Sequence, residues 1–196
     1  MGKEFAVQLI FTKETRRGRT VQSKDRFTEA LYGDQEYCIP QAYDWFAPLL
    51  GDWKFDYHYT FLHGDCSQPQ RRLKGEWIFR RVLNGAGIED LFICPSRETR
   101  HVTPQPDGEY GVGLRMFNEK NKCYDMTYAC KGKFTNLCFR LEDGILTGTV
   151  LDHPNRKWRF VERNENTFHW QNITVLDNGE IKVNCEIFAY REDAEE

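Results

Sequence analysis

Aromatic residues at Trp53, Phe55, Tyr57, Tyr59 and Phe61 alternate with Lys54, Asp56, His58 and Thr60. A period of two puts the rings on one face of a strand and the polar groups on the other. Strand-like runs follow at residues 71–82, 88–94, 109–118, 122–130, 134–142, 145–152, 156–163, 167–177 and 180–190. Turn formers stand between them: Asn84-Gly85, Asp143-Gly144, Asn164-Glu165-Asn166 and Asp177-Asn178-Gly179. These residue types suit the tight turns of hairpins. Residues 95–107 carry Pro95, Pro104 and Pro106 and read as a loop. The pattern predicts an all-β fold, an antiparallel meander of about ten strands. So wide a sheet cannot leave both edges bare, and closure into a barrel is expected. A two-sheet sandwich would need longer crossovers than the sequence offers.

The chain before Gly51 has a different texture. Residues 5–11 are apolar enough for a strand, and residues 13–26 are basic and polar. Residues 23–31 read as a short helix capped by Ser23. A second helix is expected from Pro40 through Ala47, with Pro48 ending it. The organisation read from this is an N-terminal extension at 1–43, a barrel at 44–191 and an acidic tail at 192–196.

Composition narrows the function classes. Hydrophobic residues make up 40% of the 196, enough for a real core. A net charge of −3 removes the basic excess that general nucleic-acid binding needs. No apolar run approaches the roughly 20 residues that cross a bilayer, and the start of the chain has no signal-type apolar segment. Seven scattered cysteines form no CxxC pair and read as reduced thiols. A cytoplasmic protein without nucleic-acid or membrane partners is expected. The 14% aromatic content suits strands and also ligand cavities.

Several segments, in order, carry a family likeness. Asp44-Trp45-Phe46-Ala47-Pro48-Leu49-Leu50-Gly51-Asp52-Trp53 resembles the opening of small bacterial lipocalin-like proteins. Gly75-Glu76-Trp77, Val82-Leu83-Asn84-Gly85 and the run from Tyr110 to Asn118 continue the likeness. Lys157-Trp158-Arg159-Phe160, Phe168-His169-Trp170 and residues 186–191 complete it. The resemblance spans about residues 44–191 and implies a calycin-type meander barrel around a cavity. It names no ligand, and the Asp177-Asn178-Gly179-Glu180 turn departs from the form many relatives show.

Candidate site residues follow from which polar groups point inward. Arg115 stands among apolar residues beside Gly111 and Gly113, where missing side chains leave space. It is the first candidate to hold the acidic or polar end of a mostly apolar ligand, with Glu76 and Glu186 as candidate counter-charges. A salt bridge from Arg115 to either glutamate would explain it without a ligand. Tyr57, Tyr59, Tyr128 and Trp170 offer rings with a polar tip as cavity liners, although core packing accounts for them equally well. His169 is the best acid/base candidate, provided it points inward. His58, His63 and Cys66 form an H-x4-H-x2-C spacing without an organised fourth ligand, so no metal is assigned. No cofactor is assigned either, since nucleophile-elbow, P-loop and dinucleotide motifs are absent.

Small-molecule binding in the barrel is therefore the leading reading. An isomerase- or cyclase-type enzyme using the same cavity is the rival. The third reading is a structural protein with a filled interior, dimerising through a strand at residues 5–11. A cavity above about 300 Å³ with convergent polar groups favours the first two, and a solid core favours the third.

Overall fold

The computed structural model describes residues 25–59, 71–102 and 108–191. Ten strands follow one short helix. They are β1 (Gly51–Tyr59), β2 (Arg71–Val82), β3 (Gly87–Cys94), β4 (Glu109–Asn118) and β5 (Cys123–Cys130), then β6 (Lys133–Glu142), β7 (Ile145–Val150), β8 (His153–Arg163), β9 (Thr167–Val175) and β10 (Ile181–Tyr190). Each strand pairs with its chain neighbour. β1 and β10 close the ring antiparallel, from Lys54 opposite Tyr190 to Tyr59 opposite Cys185. The expected all-β meander barrel is present, and no sandwich forms. Among the described residues no helix is long and apolar enough to cross a membrane.

Alternation decides which residues meet. Trp53, Phe55 and Tyr57 point inward from β1, as do Trp77 and Phe79 from β2 and Phe168 and Trp170 from β9. Two hairpins turn on two residues with left-handed backbone: Lys131-Gly132 (φ 50° and 73°) and Asp143-Gly144 (φ 50° and 82°). A two-residue loop of this twist keeps the flanking strands in register.

The N-terminal approach differs from the sequence expectation. The helix α1 (Arg26–Tyr32) is capped by Asp25, whose carboxylate accepts from the Phe27 N–H at 3.1 Å and the Thr28 hydroxyl at 2.6 Å. Ser23, the expected cap, lies outside the described residues. So do the strand expected at 5–11, nearly all of the basic arm, Phe61, and the tail at 192–196. No α-helix runs from Pro40 to Ala47. Two 3-10 turns, Gln41–Tyr43 and Ala47–Leu49, stand there, with Pro48 inside the second. Ala47 precedes a proline, a position that disfavours continued α-helix.

The irregular path drops Phe46 and Leu49 into one end of the barrel, where both are fully buried. Phe46 meets Tyr124, Phe139 and Phe160 edge-on, with ring centroids 4.9, 5.4 and 6.0 Å away. Trp53 Nε1 donates to the Leu49 carbonyl at 2.7 Å, and the Tyr124 hydroxyl donates to the Tyr43 carbonyl at 2.7 Å. Residues 39–50 thus form a plug that belongs to the barrel core, and Ile39 is already part of it.

Removing the central ring of the plug tests its weight. Phe46→Ala is expected to cost about 3–5 kcal/mol, the usual range for a deleted core phenyl. The urea unfolding midpoint measures it. A loss below about 1 kcal/mol would mean the rings beneath form a stable core unaided.

Candidate functional site

Inside the barrel, the register of β3 and β4 sets a buried ion pair. Arg115 is on the inner face of β4, as expected, and only 1% exposed. Its partner is neither Glu76 nor Glu186 but Asp90 of β3, equally buried and bonded through Arg115 NH1. Asp90 also accepts from Trp77 Nε1 at 2.5 Å. The guanidinium lies over the faces of Phe46, Phe79 and Phe139, 4.9–5.8 Å from their centroids. Arg115 therefore belongs to the plugged half of the lumen.

The glycines beside Arg115 do make room, but for the protein's own groups. Gly113 is the direct cross-strand partner of Asp90, and a side chain there would strike the Asp90 carboxylate. A side chain at Gly111 would strike the Tyr128 hydroxyl. Neither glycine leaves a vacant approach to Arg115.

The free space lies on the other side of Asp90, away from the plug. A cavity of about 70 Å³ is lined by Tyr57, Trp77, Asp90, Phe92, Glu109 and Met126, together with Tyr128, Trp158, Trp170 and Asn172. Three of the expected liners, Tyr57, Tyr128 and Trp170, come together here. Tyr59 ends β1, and its side chain lies outside the described residues. The volume is far below the 300 Å³ and more of a drug-sized pocket, yet it exceeds the roughly 10–15 Å³ that one water needs. Tyr128 donates to Glu109 Oε2 at 2.7 Å. Burial pushes the Tyr128 phenol far up, and the Glu109 charge adds to it; the hydroxyl stays protonated and serves as a donor. Burial also pushes the Cys185 thiol up to about 12, opposed in part by the bond it accepts from the Tyr57 hydroxyl at 3.1 Å.

Three sequence candidates lie outside this cavity. Glu76 alternates with Gly75 and Trp77 and so faces outward from β2, yet it is buried beneath the segment following β3. It accepts from the Arg97 N–H, Nε and NH2 at 2.5, 2.9 and 2.7 Å. Partial burial pushes its carboxyl up, but the Arg97 bonds outweigh this and hold it below the usual carboxylate range. His169 and Glu186 also face outward, for the same reason of alternation with inward Phe168, Trp170, Cys185 and Ile187. His169 Nε2 and Gln171 Nε2 lie 2.9 and 3.2 Å from Glu186 Oε2, and Arg159 donates to Gln171 Oε1 at 2.7 and 3.0 Å. Among the described residues no histidine lines the cavity. Of the H-x4-H-x2-C spacing only His58 is described, and its ring stands 5.3 Å from Phe188.

The other seven lining residues were not foreseen as site residues: Trp77, Asp90, Phe92, Glu109, Met126, Trp158 and Asn172. The signal was present for Asp90, which alternates in phase with Ile88 and Phe92. Glu109 opens β4 directly after the proline-rich loop, where periodicity has barely begun.

Arg115→Met is expected to lose about 3–5 kcal/mol because Asp90 is left as a buried charge without compensation. Adding Asp90→Asn should recover part of that loss in equilibrium denaturation. A double variant no more stable than the single one would refute the pairing as the cause. The Glu76–Arg97 clamp predicts a pH effect. Its carboxyl is lowered in the folded protein, so the contribution is complete above the unfolded value of about 4.3 and lost as pH falls through the lowered folded value. Hydrogen exchange at residues 97–100 should accelerate there in the native protein, whereas Glu76→Gln should exchange fast at every pH.

No family model matches this chain, nor does any curated protein. Among solved structures, the crystal structure of Rv2717c from M. tuberculosis is similar to it, with a TM-score of 0.50 at 10% sequence identity. The match covers 79% of this chain and 99% of that one. At this identity the likeness concerns the fold alone.

Proposed function

We propose that the barrel binds a small cationic ligand, an ammonium or alkylammonium head group, in the cavity beyond Asp90. A closed barrel with an internal cavity is compatible with ligand binding. The observation that carries the finer reading is the sign of the lining. Asp90 and Glu109 both face the cavity, and among the described residues no Lys or Arg lines it. Asp90 is matched by Arg115, and no described cation pairs with Glu109. The acidic ligand expected from Arg115 would meet a neutralised guanidinium and a carboxylate. A cation would meet Glu109 and the rings of Trp77, Trp158 and Trp170, whose faces attract positive charge. Trp170 stands 5.7 Å from Trp77 and 5.9 Å from Trp158. The small volume limits the occupant to a head group of a few heavy atoms.

Methylammonium, tetramethylammonium and benzoate, titrated separately by calorimetry with tryptophan fluorescence in parallel, test the proposal. At least one of the two cations is expected to bind, and Glu109→Gln to weaken it at least tenfold, or about 1.4 kcal/mol. Benzoate binding in preference to both cations would restore the acidic-ligand reading and overturn this one. No binding of either cation would overturn it as well.

A further inference from the structure

On the outer face of the barrel, the β4–β5–β6 register assembles a second group of side chains with its own chemistry. Cys123 faces Asn118 across the β4–β5 pair, and Asp125 faces Cys138 across the β5–β6 pair. The sulfurs of Cys123 and Cys138 and a carboxylate oxygen of Asp125 all lie within 4.8 Å of one another. Cys123 is buried, Cys138 half-buried and Asp125 exposed, so the group sits at the surface with one side open to water.

We propose that Cys123, Asp125 and Cys138 form a binding site for a thiophilic divalent cation of the Zn²⁺ class, with a fourth position left to water. Two sulfurs and one carboxylate oxygen are a donor set that zinc accepts, and tetrahedral bonds of about 2.3 Å to sulfur place two sulfurs about 3.8 Å apart. The observed spacing needs only a small contraction. The carboxylate is already oriented for it. Asn118 Nδ2 donates to Asp125 Oδ2 at 2.8 Å, which leaves Oδ1 towards Cys123 Sγ at 3.9 Å. Outer-shell bonds of this kind fix a ligand carboxylate. The turn between β4 and β5 is pinned in the same way, since the Asn121 N–H donates to Asn118 Oδ1 at 3.0 Å.

Charge also favours the assignment. Two thiolates and a carboxylate carry −3, and a divalent cation leaves −1. Arg140, two residues beyond Cys138 on the same face, offsets the remainder; its NH1 is held by the Asn121 carbonyl at 2.8 Å. Binding releases one proton from each thiol to solvent and forms two metal–sulfur bonds, with no change of oxidation state. A disulfide fits the framework less well. Cys123 and Cys138 are diagonal neighbours, with Cα atoms about 7–8 Å apart in such a pair, beyond the usual disulfide span of about 4.4–6.8 Å.

The test is titration of the reduced, metal-free full chain with Cd²⁺, following the ultraviolet thiolate-to-cadmium charge-transfer band, with Zn²⁺ as competitor. One equivalent is expected to saturate the band. Cys138→Ser should abolish it, and Asp125→Asn should weaken binding at least tenfold, while Cys130→Ser changes nothing. Asp125 and Cys138 are not fully buried, so these variants keep the test open should Cys123→Ser fail to fold; circular dichroism of each checks this. A band that survives in Cys138→Ser, or none in the native chain, would overturn the proposal. So would a Cys123–Cys138 disulfide that forms in air while Cd²⁺ fails to saturate the reduced pair.

Discussion

The buried pair of Arg115 and Asp90 divides the inside of this barrel. Two charges at 1% exposure survive because each is paired with the other, with further help from the Trp77 N–H and three ring faces, although Arg115 Nε is left without a hydrogen-bond partner. Breaking such a pair costs more than its formation gains, since the survivor is stranded in a medium of low polarity. The residues around it are constrained accordingly. Gly113 has no side chain because the Asp90 carboxylate fills that space, and Phe46 descends from the plug to cover the guanidinium. The plugged half of the lumen is packed largely with aromatic rings, and beyond Asp90 a cavity remains.

That division also sets the sign of the cavity. An unpaired arginine would have made it a receptor for anions. With the arginine turned into the plugged half and neutralised, the charge left facing the cavity is that of Glu109, framed by tryptophan rings. The Tyr128 hydroxyl, held protonated by burial, donates to this carboxylate and fixes its orientation.

The outer face follows a different logic. Glu76 holds the segment after β3 through Arg97, while His169, Gln171, Arg159 and Glu186 join β8, β9 and β10 in a polar ladder. Burial pushes the Glu186 carboxyl up, but bonds from His169 and Gln171 bring it below its usual range. The His169–Glu186 tie is partly exposed and worth little singly, since water screens it, whereas the Glu76 carboxylate is buried. Their placement matters more: no described histidine lines the cavity, whose walls are aromatic rings, two carboxylates, Met126 and Asn172.

The sequence by itself determined the strands, the meander and the inward or outward sense of most side chains, because period two is a local property of the chain. It placed Tyr57, Tyr128, Trp170 and Arg115 inside correctly. It misplaced Glu76 and Glu186, read as inward counter-charges to Arg115: both face outward, as does His169, because each alternates with inward aromatic or aliphatic neighbours. Tertiary structure alone decided who meets whom. Strand register placed Asp90 opposite Gly113 and within reach of Arg115, 25 residues away in sequence, and it brought Cys138 beside Asp125. It also turned residues 40–49 into a plug instead of a helix. Partnership across a barrel depends on closure and stagger, which no single strand's pattern encodes. The charge of the cavity, being a sum over such partners, became readable only once the ring had closed.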